Sequence, residues 1–152
     1  LNKKPKFILG LTGSIGMGKT TVSKMFRELG IPVWCADNEV NSLYSKTGEA
    51  TKILIKEFPS AVTEAGVNKK KLRELIHKNN ATLKKIEEIV HPLLQKSKMS
   101  FLNLNQKFPI VIFDIPLLLE KNQEKSFDAI VLVTASETTQ KTRVLKRSNM
   151  TM

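Results

Sequence analysis

Residues 13–20, Gly13-Ser14-Ile15-Gly16-Met17-Gly18-Lys19-Thr20, satisfy G-x-x-x-x-G-K-[ST] at every fixed position. The chemistry of that spacing is phosphate binding. Glycines let the backbone curl until successive N–H groups converge on one anion. A helix starting near Lys19 adds the positive end of its dipole. Lys19 can reach the β- and γ-phosphates, and the Thr20 hydroxyl can hold Mg2+. With Thr21 at the helix start, the stretch Gly13–Thr21 reads as a site for a nucleoside triphosphate such as ATP. A second acidic group suits the same chemistry. Asp114 follows the apolar run Ile110-Val111-Ile112-Phe113 and fits two roles: ordering the Mg2+ shell through water, or capping the turn before Pro116.

These groups work only if secondary structure presents them. Residues 6–11, KFILGL, are apolar enough for a buried strand ahead of the glycine turn. Val22, Met25, Phe26 and Leu29 then recur at i, i+3, i+4 and i+7, predicting a helix over 21–29 that Gly30 ends. Residues 31–34 restart as a strand. Strand, glycine loop, helix and strand open a doubly wound α/β fold. Residues 37–106 show helical spacing without a strand pattern. Ile53, Leu54 and Phe58 mark one helix. Asn68 can cap a second that carries Leu72, Leu75 and Ile76. Leu83, Ile86, Val90, Leu93 and Leu94 mark a third, which Pro92 is expected to end or kink. Strands return at 109–113 and 128–133, followed by a helix over 137–147. The expected fold is a three-layer P-loop NTPase core with a parallel sheet, residues 1–36 and 107–152, interrupted by an all-helical insertion at 37–106.

Composition narrows the function classes. The chain has 152 residues, with 25 Lys+Arg against 14 Asp+Glu, a formal charge of +11. That length suits one domain with a modest insertion. Only four of the basic residues are arginines, aromatics are 6%, and the lysines are scattered apart from Lys69, Lys70 and Lys71. Nucleic-acid binders concentrate charge and add stacking groups, so a nucleic-acid partner is not expected. The single cysteine, Cys35, excludes an internal disulfide framework and a cysteine-cluster zinc site. The apolar stretch after Lys3, Lys4 and Lys6 is too short for a signal peptide, and no run reaches the length of a membrane span. A soluble, cytoplasmic, monomeric protein with no membrane partner is the expectation. Without an N-K-x-D motif a GTPase is disfavoured, and a small-molecule kinase fits the size.

Five segments in order narrow it further: GLTGSIGMGKTT, GIPVWCAD, KKLRELI, IVHPLL and IFDIPLLLE. Together they resemble dephospho-CoA kinase, from residue 7 to residue 147. The resemblance implies transfer of a phosphoryl group from ATP to the ribose 3′-hydroxyl of dephospho-CoA, with Mg2+. It implies a base at Asp37, the second acid of the family's Asp-Ala-Asp, where this chain has Cys35-Ala36-Asp37. A carboxylate at the end of the strand beside the loop strand could accept or orient the hydroxyl proton. Asp37 alone also suits a helix cap. The resemblance places His91 of the His91-Pro92 pair in the acceptor site. Arg73, Lys70 and Lys71 could meet acceptor phosphates or simply form a solvated face. Arg143 and Arg147, four apart on one expected helical face, match arginines at the start of the family's lid (138–152 here), where guanidinium groups stabilise the transferring phosphate. The catalytic set is then Asp37, Lys19 and Arg143. The rest of the lid and part of the adenine pocket fall beyond Met152 in the family pattern. Two other readings are a different nucleoside- or nucleotide-type P-loop kinase and a nucleotide-binding module without catalysis.

Overall fold

The structure is a computed structural model that describes residues 7–120 and 122–147. The described residues form two compact units, 7–36 with 101–120 and 122–147, and 37–100.

The first unit is built on a four-stranded parallel sheet. Its strands are β1 (Phe7–Thr12), β2 (Val33–Cys35), β5 (Ile110–Asp114) and β6 (Ala129–Leu132), in the order β2-β5-β1-β6. Leu11 and Cys35 both stand opposite Asp114, so the carboxyl ends of three strands align in one row. β5 therefore lies between β1 and β2, which corrects the expectation that Asp37 follows the strand beside the loop strand. Two strand spacings of about 4.8 Å separate β1 from β2.

Buried strand residues explain why β1 and β5 read as continuous apolar runs. Leu11, Ile112 and Val133 form a core packed by Val22 and Phe26 of α1 (Lys19–Glu28). Phe113 of β5 makes ring contacts with Trp34, Phe101 and Phe127, at centroid distances of 5.4, 5.4 and 5.9 Å. Such tilted and edge-on pairs add to area burial. The C-terminus of α1 closes as expected at Gly30: its N–H donates to Arg27 O, and the Ile31 N–H donates to Phe26 O, a Schellman pair. The last described helix, α6, spans Glu137–Leu145, two residues shorter than the spacing predicts. The Arg147 N–H donates to Val144 O, a tight i−3 bond that ends the helix. Arg147 therefore lies just past the end of the helix that carries Arg143.

The second unit holds α2 (Ala36–Leu43, entered from the first unit), α3 (Glu49–Glu57), α4 (Lys69–Lys78) and most of α5 (Asn80–Leu104). Its core is Ala50, Leu54, Ala61, Leu72, Ile86 and Val90. Asn68 caps α4 as its sequence suggests, its side-chain oxygen accepting from the Lys70 and Lys71 N–H groups at 3.1 Å. Two features escape periodicity. A hairpin of two-residue strands, β3 (Val62–Thr63) and β4 (Gly66–Val67), joins α3 to α4. Pro92 lies inside α5, which is 25 residues long and continues through it. Proline removes one N–H and frees the carbonyl four residues back, but His91 and Pro92 are exposed, so water can satisfy that group. Among the described residues no helix is long and apolar enough to cross a membrane.

Candidate active site

The glycine loop connects β1 to α1. Gly16 and Gly18 have φ of 77° and 98°, values that side-chain-bearing residues rarely adopt. Gly18 is the N-cap of α1, and its carbonyl accepts from Thr21 and Val22. No side chain caps this helix and its first turn has no acid. Its leading N–H groups and positive dipole end are therefore left for an anion. Gly13 meets a different constraint: a Cβ there would lie 2.8 Å from the Val133 carbonyl oxygen, so the loop's entry passes too close to β6 for a side chain. Ser14 and Ile15 at the loop tip, and Thr20 and Thr21 at the helix start, are exposed.

Lys19 and Asp114 meet. The ammonium is in direct contact with Asp114 Oδ1, and the side chains are 14% and 4% exposed. The pair forms because β5 ends beside β1 and Asp114 stands opposite Leu11, close to the strand end from which the loop departs. The partner that the structure gives Asp114 is the lysine. Thr20 and Asp114 are oxygen donors of the kind that a hard divalent cation takes alongside phosphate oxygens and water, so the residues present fit Mg2+.

Helix α6 lies against the loop. Arg143 Nη1 donates to Gly16 O at 3.2 Å, and the same nitrogen would be 3.1 Å from a Cβ on Gly18. Of the two expected arginines, only Arg143 has this contact; Arg147 is exposed beyond the end of α6. Gln140, which motif reading passed over, donates from Nε2 to Ile15 O at 2.8 Å. One signal marked it in the sequence: it lies three residues before Arg143, on the same helical face. The Ala135 N–H also points at Met17 Sδ, 3.1 Å away.

The other expected site residues belong to the second unit. Asp37 is exposed in the first turn of α2, past the cap position, two residues after Cys35. Arg73 and His91 are exposed on α4 and α5. Lys70 and Lys71 are likewise exposed at the start of α4.

A family model described as dephospho-CoA kinase matches residues 7–152. The chain belongs to the dephospho-CoA kinase family. A relative named dephospho-CoA kinase, from Jannaschia sp. (strain CCS1), is 43% identical over 141 residues, spanning 93% of this chain and 73% of its own length. Among solved structures, TT1252 from Thermus thermophilus superposes with a TM-score of 0.81 at 31% identity, covering 97% of this chain and 75% of that one. A dephospho-CoA kinase from Campylobacter jejuni gives a TM-score of 0.63 at 18% identity, over 91% and 94% of the two chains, and shows the shared fold.

Proposed function

We infer that the protein transfers the γ-phosphoryl group of ATP to the ribose 3′-hydroxyl of dephospho-CoA, yielding coenzyme A and ADP. The observation that carries this reading is a complete phosphate loop, backed by an uncapped helix and Lys19, in a chain that belongs to the dephospho-CoA kinase family.

Each residue takes a role that its chemistry supports. The N–H groups of residues 13–20 and Lys19 bind the β- and γ-phosphates and orient them for in-line transfer. Asp37 accepts the proton of the attacking hydroxyl, or orients that hydroxyl by accepting its hydrogen bond. Arg143 brings guanidinium charge to the loop, where negative charge shifts as the phosphoryl group moves. Arg147 adds to the nucleotide side, and Arg73 and His91 line the acceptor side. Thr20 and Asp114 would hold Mg2+, Asp114 through water; when bound, the ion neutralises charge on the β- and γ-oxygens. Catalysis here is positioning and electrostatics, with no covalent enzyme intermediate and no role for Cys35 as a nucleophile. The protein acts as a cytoplasmic monomer on small molecules, with neither nucleic acid nor membrane as a partner.

The test is ADP release with Mg-ATP and four acceptors in parallel: dephospho-CoA, adenosine, AMP and shikimate. Turnover with dephospho-CoA alone is expected. Turnover with another acceptor and none with dephospho-CoA would overturn the reading.

A further inference from the structure

A loop rich in glycine binds phosphate only while its peptide groups face the right way. Gly16 has a positive φ of 77°, and rotation of the peptide before it is cheap for glycine. That peptide is planar, so the Ile15 carbonyl and the Gly16 N–H point in opposite directions. Gln140 Nε2 holds the Ile15 carbonyl from the α6 side at 2.8 Å, which directs the Gly16 N–H away from α6. Were the peptide to flip, the carbonyl oxygen would replace the N–H, and an acceptor would face the bound anion where a donor is needed. The surroundings leave little slack. A Cβ on Gly16 would lie 2.9 Å from Val144 Cγ2, 3.1 Å from Gln140 O and 3.2 Å from Gln140 Cγ, so α6 is seated directly on this residue. Arg143 fixes the next carbonyl, that of Gly16, from the same helix.

We propose that Gln140 is a positioning residue that latches the Ile15–Gly16 peptide in its phosphate-binding orientation, making α6 a structural part of the phosphate loop. Gln140 does not itself touch the nucleotide; it acts through the peptide that does. The proposal rests on the reading of residues 13–20 as the nucleotide phosphate site.

The test compares wild type with Gln140→Met and Gln140→Glu. Met keeps the length without a donor. Glu keeps the size and replaces the donor with an acceptor. All three residues favour helix about equally, so a role confined to helix stability predicts no ranking among them. Affinities for ATP and for inorganic tripolyphosphate are measured by calorimetry, with melting temperature and the KM for dephospho-CoA as controls. Loss of one hydrogen bond predicts that Gln140→Met weakens ATP and tripolyphosphate by the same factor, about five- to tenfold. Gln140→Glu weakens both at least as much. Melting temperature and acceptor KM stay at wild-type values. Variants that bind tripolyphosphate as tightly as wild type overturn the latch while leaving the phosphate site intact. A loss that follows melting temperature, or falls equally on acceptor KM, also overturns it. If wild type binds neither ATP nor tripolyphosphate, the phosphate-site reading fails and the latch fails with it.

Discussion

Lys19 and Asp114 form an ion pair that is almost wholly enclosed, joining the last turn of the phosphate loop to the end of the neighbouring strand. Ninety-five residues of sequence separate them. Removing one member of a buried pair leaves the other charge without compensation, and the cost of that exceeds the net value of the pair. Lys19→Met and Asp114→Asn are each expected to destabilise the protein by about 3 kcal/mol. The double variant should cost clearly less than the sum, because it leaves no unpaired charge. Urea unfolding followed through Trp34, the chain's one tryptophan and 3% exposed in the same unit, measures all three. Additive costs would show that the two groups do not interact in solution.

Asp37 gives the cleanest separation of chemistry from binding. Its place in the first turn of α2, exposed and past the cap position, argues against a structural duty for its carboxylate. Asp37→Asn keeps the shape and removes the proton acceptor. It should lower kcat by about 10²- to 10⁴-fold, the range for a positioned base. The KM for ATP and the melting temperature should stay near wild type. A parallel fall in stability would mean that Asp37 serves the fold.

Tyr44 offers a spectroscopic window on the second unit, because it is the chain's only tyrosine. It packs against the Ala50–Leu54 core, and burial raises its phenol above the ordinary value. The phenolate absorbance should therefore rise at a higher pH in the folded protein than in urea, where the midpoint returns to about 10. The sign for stability follows. The folded state holds the proton more tightly, so this contribution is full below pH about 10 and is lost as pH rises through the folded value. Coincident titrations in the two states would contradict the burial.

The phosphate loop was legible in sequence because its chemistry is local: eight consecutive residues between an apolar run and a helical stripe. The same holds for β5, for the Asn68 cap and for the Gly30 terminus, each set by neighbours within a few positions. What sequence hid was non-local or context-bound. The order β2-β5-β1-β6 inserts β5 between β1 and β2, a pairing that no spacing encodes. It moves the Cys35 end of β2 one strand further from the loop and gives Asp114 to Lys19. Pro92 reads as a helix breaker, yet exposure lets α5 continue through it. Two-residue strands at Val62–Thr63 and Gly66–Val67 are too short to show a period. Gln140 carries no motif of its own; only the seating of α6 on the loop reveals it. Arg147 lies past the end of α6 because the last turn tightens at Val144.

The position at which phosphate is transferred is read most directly from the product of dephospho-CoA with Mg-ATP. Phosphorus NMR of that product, compared with authentic coenzyme A, should show one new phosphomonoester on the ribose 3′-oxygen, formed in step with ADP. A phosphate on any other oxygen of the acceptor, or ADP formed with dephospho-CoA left unmodified, would show that the protein does not catalyse this transfer.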